Sequence, residues 1–542
     1  MPIRVGDKQS GWPSVAECGK RPKMTMVKKI LTVFLAVFLS FAAINVLAQE
    51  KQTEPALPLT TVDTTPVTPT GATITVGSGG DFQAALNSAS PGDVITLAAG
   101  ATYSGAFTLP VKSGSTYITV MTAGFSTTGR LVPGAGMLAR ISASSNDPAL
   151  QCAAGAHHFR FIGIEFDAPG IYIDTLILLG SSSETVLANQ PHHIIFDRCY
   201  IHGDANAGGK RGVSFQGSHL AVIDSYLSDW KGVEYDTQAI AGWNGPGPFK
   251  IANNYLEGAG ENVMFGGADT VIPNLTPSDI EVRGNTFFKP LSWKPGHPSY
   301  AGVGWLVKNL LELKHAQRVI IEGNTFENCW VDKQSGFAIL FTVRNQSGTN
   351  PWATLSDVTF RHNKLLNSTN GINLLGNDNE SGIPSQTARR LLISNNLITN
   401  IGSDPGTGIL FQILSGYEDV VIDHNTALHT GTTIIADGLP SPRFSYTNNI
   451  APHNLYGILG SGYGVGNPAI AHYFPDSVIT ANVFLSAENF STIYPAGNYW
   501  PTALEDIGFV NYPGDLQLKT TSPYYNQGTD GTSLGVQEEE MP

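Results

Sequence analysis

Two short stretches of the sequence place charged side chains at alternate positions between apolar residues. In "LLELK", the leucines at 311 and 313 alternate with Glu312 and Lys314. In "AILFTVR", apolar residues alternate in the same way with Thr342 and Arg344. Because alternation is typical of a strand with one buried face, we expect these four polar side chains to point outward. An ammonium group and a guanidinium group on one surface would suit an anionic ligand.

A local reversal of charge surrounds these residues. The segment from Lys289 to Arg318 has five basic residues and one acidic residue, Glu312. Residues 1–48 contain seven of the 31 Lys and Arg residues and two of the 44 Asp and Glu residues, so the remainder of the chain has a net charge of −18. A cationic segment in an acidic chain favours an anionic ligand, although solvated loop charges would give the same composition.

Further polar and aromatic residues are predicted to join the same surface. Glu261 and Asn262, in "GENVMFGGAD", belong to the repeat that precedes "LLELK". Trp293 and Trp305 lie between these two strands. Flat aromatic rings with a polar edge pack well against sugar rings. We therefore expect these four residues to contact a carbohydrate; the alternative is that the tryptophans only pack the loops.

The elements that must position these residues follow from a repeated phrase. Its template is apolar, any, apolar, any, any, Asn, any, apolar, and it recurs at intervals of 24 to 39 residues. A fixed phrase with variable insertions is typical of a solenoid, in which each repeat adds one coil and the insertions are loops. The asparagines of the phrase are Asn254, Asn285, Asn324, Asn363, Asn396, Asn425 and Asn449.

The phrase predicts parallel β-strands rather than helices. Its alternation indicates a short strand, a sharp bend and a second strand, and long runs with apolar spacing of three and four are missing. A bend leaves backbone N–H and C=O groups unpaired, and a buried asparagine at each bend can pair with them. The sequence therefore predicts an all-β parallel β-helix (solenoid) of roughly ten or more coils, with its asparagines stacked from coil to coil.

The segments outside the repeats have separate roles. Residues 1–48 are predicted to be an upstream segment and a signal peptide, because a basic region from about 26 precedes an apolar run and a small-residue cleavage site. This predicts a secreted protein without a stable membrane anchor after cleavage. Residues 49–73 are rich in Thr and Pro and are predicted to be a disordered linker. The β-helix is expected over 74–536 and an acidic tail over 537–542.

The start of the repeat domain has a recognisable form. The stretch "GGDFQAALNSASPGDVITLAAGATYSG" predicts a short amphipathic helix from Phe82 to Ala89, followed by a strand. Such a helix would cap the coil stack, whose open end exposes apolar core and unpaired strand edges. Together with the asparagine phrase, this opening resembles the right-handed parallel β-helix proteins of the pectin-lyase-like superfamily, and among them the chondroitinase-B and alginate-lyase group. The resemblance covers nearly all of residues 74–536.

The resemblance implies a polysaccharide lyase that acts on an acidic, uronate-containing polysaccharide. β-Elimination needs a base for the C5 proton, an acid for the leaving oxygen and positive charge for the developing enolate. In the group that this sequence resembles, a lysine and an arginine on neighbouring coils carry the proton transfers, which implies catalytic roles for Lys314 and Arg344. Glu261, Asn262 and Glu312 would then orient the sugar, or a calcium ion at its carboxylate.

Other functions and sites stay open. A non-catalytic carbohydrate-binding or cell-surface structural β-helix would have the same repeats, and so would a glycoside hydrolase or an epimerase. In "GNDNESG", Asp378 and Glu380 offer hard oxygens to calcium, or only form a polar turn. The histidine pairs 157–158 and 192–193 have no third ligand at zinc spacing and are predicted to be turn residues. No nucleic-acid motif is found, and we expect a monomer whose partner is polysaccharide.

Overall fold

The computed structural model describes residues 52–134, 137–402 and 408–537. The predicted upstream segment and signal peptide (1–48), the first residues of the predicted linker and the acidic tail after Gln537 lie outside the described residues. Export and the tail therefore stay predictions.

Three long sheets of parallel strands form the described chain, and each coil gives one strand to each sheet in turn. With strands numbered along the chain, sheet 1 contains 14 strands: β1 (Thr73–Val76), β2 (Val94–Leu97), β5 (Ile118–Thr122), β8 (His157–Ile162), β11 (His192–Asp197), β14 (Ser218–Ile223), β17 (Phe249–Ala252), β20 (Ser278–Arg283), β23 (Ala316–Glu322), β26 (Leu355–Arg361), β29 (Arg389–Ser394), β32 (Glu418–Asp423), β35 (Ser445–Thr447) and β39 (Val478–Thr480).

Sheet 2 contains 13 strands: β3 (Thr102–Ser104), β6 (Ala139–Ser142), β9 (Ile164–Asp167), β12 (Tyr200–His202), β15 (Tyr226–Trp230), β18 (Tyr255–Gly258), β21 (Thr286–Phe288), β24 (Thr325–Cys329), β27 (Lys364–Ser368), β30 (Leu397–Ile401), β33 (Thr426–His429), β36 (Ile450–Pro452) and β40 (Val483–Leu485).

Sheet 3 contains 13 strands: β4 (Phe107–Leu109), β7 (Leu150–Cys152), β10 (Ile177–Leu179), β13 (Arg211–Phe215), β16 (Gln238–Gly242), β19 (Glu261–Phe265), β22 (Leu311–Leu313), β25 (Phe337–Thr342), β28 (Asn370–Leu375), β31 (Phe411–Leu414), β34 (Ile434–Asp437), β37 (Ile458–Gly460) and β38 (Gly464–Val465), the last antiparallel to β37. A separate antiparallel pair is formed by β41 (Phe509–Asn511) and β42 (Asp515–Leu518). This architecture confirms the predicted all-β parallel β-helix.

Two α-helices are present in the described chain, α1 (Phe82–Ser88) and α2 (Asn467–Tyr473). Helix α1 begins at the predicted residue, where the Asp81 carboxylate accepts a hydrogen bond of 2.8 Å from the backbone N–H of Ala84. Phe82 and Leu86 are buried in the core beneath the first coils. Each helix has seven residues, and within the described ranges no helix has the length and apolar character of a membrane span.

A column of buried asparagines joins the bends between sheets 1 and 2. The Asn254 amide nitrogen donates to the Asn285 amide oxygen at 3.0 Å, and the same bond links Asn285 to Asn324. The pattern continues through Asn363, Asn396, Asn425, Asn449 and Asn482. Each amide oxygen also accepts from the backbone N–H of the preceding asparagine, at 2.9 Å for Asn285. These bonds satisfy the backbone groups that the bends leave unpaired.

The described part of the predicted linker is not disordered. Residues 52–72 form no regular element, but they lie along the outer face of sheet 1 and we call them the strap. The backbone N–H groups of Ala56 and Leu59 donate to the Asp357 and Asp279 carboxylates at 3.0 and 2.9 Å. Val62 is 1% exposed and packs against residues of β11 and β14. The prediction failed because Thr/Pro composition reports low helix and strand propensity, not the absence of a docking surface.

Candidate functional site

An open cleft of about 480 Å³ lies on the outer face of sheet 3. Strands β22, β25 and β28 form its floor, and the chain segments that follow β25 and β28 form one of its walls. Its polar lining residues are Glu312, Lys314, Gln334, Ser335, Thr342, Arg344, Asn345, Gln346, Asn373, Asp378 and Glu380. The structure therefore brings Lys314 and Arg344 to one surface.

Strand alternation positions these side chains. Leu311 and Leu313 are fully buried in the core, so the intervening Glu312 faces the cleft. Parallel register places Glu312 opposite Leu340 of β25 and Leu340 opposite Asn373 of β28. The cleft floor is thus a ladder of outward residues contributed by consecutive coils.

Lys314 and Glu312 form an ion pair at the cleft floor. The ammonium nitrogen lies 3.3 Å from one carboxylate oxygen, and the side chains are 15% and 2% exposed. The other carboxylate oxygen of Glu312 is buried and has no hydrogen-bond partner among the described residues. The amide oxygen of Asn373 is buried in the same cleft and also lacks such a partner. Because unpaired buried acceptors are costly, these two oxygens are suited to hydroxyl donors of a ligand.

Arg344 is oriented by two acidic residues. Its guanidinium lies 3.3 Å from the Asp378 carboxylate and 2.7 Å from that of Glu380. Asp378 is itself fixed, because its oxygens also accept from the backbone N–H groups of Asn345 and Glu380 at 2.8 and 3.1 Å. The Arg344 backbone N–H donates to the Lys314 carbonyl at 2.9 Å, which ties the two residues together across adjacent coils.

The predicted cationic segment does not form one cationic surface. The Lys289 ammonium is fully buried and donates to the carbonyls of residues 258, 259 and 260. Lys308 pairs with Asp236 and with Glu261, the latter at 3.5 Å. Arg318 is bound by Asp279 on the outer face of sheet 1. Of the basic residues in this segment, Lys314 is the one that lines the cleft, whereas Lys294 lies 5.9 Å from the Trp330 ring centroid in a different pocket.

Glu261 lies behind the cleft rather than in it. Its side chain is fully buried and accepts a 2.8 Å hydrogen bond from Gln238, which in turn accepts from Arg211 at 3.2 Å. Burial, with a contribution from the negative charge of Glu312, raises the pKa of Glu261 to about 7. Because the Glu261 side chain is fully buried, the predicted direct contact with a ligand is wrong. Its carboxyl group instead contacts Gln238 and Lys308.

Asn262 also has a different place from the predicted one. Its amide nitrogen donates to the carbonyls of Leu256 and Phe288 at 2.6 and 3.0 Å, and its amide oxygen accepts from Lys289 at 3.2 Å. With the side chain fully buried, all of its hydrogen-bonding capacity serves this turn. The expectation that Asn262 faces a ligand is therefore wrong, because it precedes the alternating part of β19.

The two tryptophans do not line the cleft. Trp293 and Trp305 are 4% and 8% exposed and pack with Trp330 in a small apolar cluster. The Lys231 ammonium lies 5.6 Å and 5.1 Å from their ring centroids. Trp305 reaches a separate pocket of about 150 Å³ beside Tyr235. The predicted stacking wall is thus a packed loop core, the alternative that the sequence had left open.

The donor set in the cleft does not fit a calcium ion. Calcium takes six to eight oxygen ligands. Here the Asp378 oxygens are taken up by Arg344 and by backbone N–H groups, and Glu312 already faces the Lys314 ammonium. Two cationic side chains at the same place would repel a divalent cation. "GNDNESG" therefore acts here as a polar turn that holds Arg344.

Some lining residues were not predicted. Asn373 lies in "GINLLGN", where alternation gives it the outward position, so the sequence does contain a signal for it. The role of Asp378 as the anchor of Arg344 had no sequence signal, because it depends on the return of a loop 34 residues later.

Comparisons with known proteins bear on the fold. No protein-family model matches the sequence, and no curated protein matches it. Among solved structures, a mannuronic acid specific polysaccharide family 6 lyase from human gut microbiota matches at a TM-score of 0.52 and 14% identity, over 80% of this chain and 93% of that one. The PL6 family alginate lyase AlyGC matches at 0.55 and 14% identity, over 87% of this chain. This chain spans 57% of the length of AlyGC. The shared feature is the parallel β-helix fold.

Proposed function

We propose that this protein is a lyase that cleaves an acidic, uronate-containing polysaccharide by β-elimination in the cleft on sheet 3. The observation that carries the proposal is the approach of Lys314 and Arg344, from adjacent coils, to one open polar cleft. A solved structure with the same fold is described as mannuronic acid specific, and a second as an alginate lyase, which favours a uronate polymer.

In the proposed β-elimination, Lys314 transfers the proton and Arg344 stabilises the negative charge. After the Lys314 ammonium has released its proton to solvent, the resulting amine takes the proton from C5 of the uronate. The electron pair of that C–H bond forms the C4=C5 double bond, and the bond from C4 to the leaving oxygen breaks. The Arg344 guanidinium stabilises the negative charge on the sugar carboxylate during this step. The proton held by Lys314 then passes to the leaving oxygen, which restores the amine.

The remaining cleft residues position the sugar. The unpaired oxygens of Glu312 and Asn373 accept hydrogen bonds from ring hydroxyls. Glu380 is 80% exposed, so its carboxylate can move away from Arg344 when a sugar carboxylate takes its place. No step in this scheme uses calcium, because the cleft lacks a suitable set of free oxygens.

The test is a panel of alginate, pectin and glycosaminoglycan substrates incubated with the protein. We expect a new ultraviolet absorbance from the C4=C5 double bond conjugated to the carboxylate, and its loss in Arg344→Ala. Lys333→Ala is the matched control, since Lys333 is 55% exposed and is not part of the cleft. New reducing ends without the absorbance would identify a glycoside hydrolase, and binding without either product would identify a carbohydrate-binding or structural β-helix.

A further inference from the structure

Five histidines lie side by side on three consecutive coils near the start of sheet 1. Their strands come well before those that form the cleft. We call them the histidine cluster: His157 and His158 in β8, His192 and His193 in β11, and His219 in β14. Parallel register pairs His192 with His157 on one side and with Ser218 on the other. Imidazoles that are 35 residues apart in sequence are therefore direct neighbours in the sheet.

The rings approach each other through their nitrogens. The Nδ1 atoms of His157 and His158 are 2.8 Å apart, and those of His192 and His193 are also 2.8 Å apart. The rings of His157 and His192 are stacked with centroids 4.7 Å apart. One ligand atom each from His157, His158 and His192 lies within 4.8 Å of the other two. All three residues are partly exposed, so an ion can reach them from solvent.

The polar contacts of these rings are with one another rather than with acidic side chains. Within the described ranges, the His157 ring forms a hydrogen bond with a ring nitrogen of His158. The His192 ring forms the same kind of bond with His193. No Asp or Glu in those ranges forms an ion pair with any ring of the cluster. Neighbouring imidazole nitrogens that are not paired with a carboxylate are a donor set that a transition-metal ion can bind.

The all-nitrogen ligand set favours particular metals. Imidazole ligands suit Zn²⁺, Cu²⁺ and Ni²⁺, and Cu²⁺ binds most tightly in the series of divalent first-row metals. The histidine cluster therefore fits Cu²⁺ best.

We propose that His157, His158 and His192 form a binding site for Cu²⁺. The ion replaces the single proton shared between the two Nδ1 atoms on β8. His192, whose ring is stacked on that of His157, turns to bring a ring nitrogen to the ion and so joins β11 to β8. The site is on sheet 1, whereas the cleft is on sheet 3 and eleven or more strands later, so it is independent of the proposed lyase activity. Its effect is to cross-link two coils near the start of the solenoid.

The experiment uses the full mature chain without a histidine tag, titrated with CuCl₂ in a buffer containing glycine as a weak competitor. We expect visible absorbance and an electron paramagnetic resonance spectrum typical of nitrogen-ligated Cu²⁺, at one tight ion per chain. Cu²⁺ should also raise the unfolding temperature, because it binds the folded chain in preference to the unfolded one. Zn²⁺ should bind more weakly and Ca²⁺ should have no effect.

The test variants replace histidines by phenylalanine, which keeps the stacked aromatic rings and removes the nitrogen ligands. His157→Phe/His192→Phe retains two stacked rings and is expected to lose the tight Cu²⁺ signal and the thermal shift. His297→Phe, on an exposed loop away from the cluster, is expected to keep both. The proposal is overturned if the wild-type chain binds no Cu²⁺ at micromolar concentrations, or if the double variant is folded by circular dichroism and binds Cu²⁺ as the wild type does. If the double variant does not fold, the spectrum of the wild-type ion decides, since oxygen ligands alone would exclude the site.

Discussion

Lys314 is the single residue on which the proposed chemistry depends most directly, but it also has a structural partner. Its ammonium is the cation paired with Glu312, which is 2% exposed. We expect Lys314→Ala to abolish turnover and also to lower the free energy of unfolding by about 1–3 kcal/mol, because a buried carboxylate loses its partner. Turnover is measured by the ultraviolet assay and stability by urea denaturation.

A double substitution separates these two effects. Lys314→Ala/Glu312→Gln removes the unpaired charge, so its stability should return to within about 1 kcal/mol of the wild type while turnover stays absent. Recovery of turnover in the double variant would show that Lys314 acts only through Glu312. An active Lys314→Ala single variant would place the chemistry elsewhere.

The buried side chain of His429 is expected to make the folded chain less stable at acidic pH. It lies at the end of β33, 5% exposed, and burial lowers its pKa to about 4 against a smaller opposing effect of the Gly408 and Pro452 carbonyls. Between pH 6.5 and 4 the unfolded chain binds a proton at His429 that the folded chain does not. The contribution of neutral His429 to the free energy of unfolding is therefore complete above pH 6.5 and is lost as the pH falls towards 4. The shift corresponds to about 3 kcal/mol.

Urea denaturation of His429→Gln across this pH range tests that contribution. The variant should lose less stability than the wild type between pH 6.5 and 4, whereas His297→Gln, on an exposed loop, should follow the wild type. Parallel curves for His429→Gln and the wild type would contradict the assignment.

Whether a side chain faces outward or into the core could be predicted from the sequence only inside regular strands. Alternation placed Glu312 and Arg344 correctly, because each is flanked by core residues of β22 or follows those of β25. Asn262 and Trp293 were placed only by their closeness to these strands in sequence, and that placement was wrong. They lie at a strand start and in a short 3₁₀ helix, where side-chain direction depends on tertiary contacts. The histidine cluster was missed for a related reason: its third ligand comes from the next coil, at a spacing set by the length of an insertion.

At the scale of elements, the asparagine bends are the units that join one coil to the next. Their sequence signal was strong because every copy must meet the same need, the pairing of backbone groups at a buried bend. Asn324 shows this need in full: its amide nitrogen donates to Asn363 and to the Val282 carbonyl at 3.0 and 2.9 Å, and its amide oxygen accepts from Asn285.

Asn324→Ala is therefore expected to be costly. It leaves several buried donors and acceptors unpaired, and we expect the free energy of unfolding to fall by about 2–5 kcal/mol. Urea denaturation gives the value, with Asn206→Ala, at an exposed position, as the control that should change stability by less than about 0.5 kcal/mol. Equal stability of the two variants would mean that water replaces the lost amide at this bend.

At the scale of the whole molecule, the strap joins coils that are distant along the solenoid. Gln52 donates to the carbonyls of Val420 and Arg443, whereas the carbonyl of Thr64 accepts from Arg160 in β8 at 3.0 Å. A solenoid otherwise has contacts only between neighbouring coils, so its end coils can unfold separately. The repeats predicted the solenoid, but no repeat could predict the strap, because it contacts a surface made from many coils.

Val62 is the apolar anchor of the strap. It is 1% exposed against Ile195, Ala221 and Ile223, whereas Val67, five residues later in the same segment, is 55% exposed. A carboxylate at position 62 cannot be buried without a partner, so Val62→Asp should release the strap rather than place a charge in the cluster. The loss of stability is then limited to the docking energy of the strap, about 2–3 kcal/mol for one buried valine and its neighbouring hydrogen bonds.

Hydrogen exchange measures this release directly. The Ala56 and Leu59 amides, bonded to Asp357 and Asp279, should lose protection in Val62→Asp and keep it in Val67→Asp. Because the strap spans β8 to β35, its release should also allow the amides of the end coils to exchange before those of the central coils. Unchanged protection of Ala56 and Leu59 in Val62→Asp would show that the hydrogen bonds to the aspartates hold the strap without the valine.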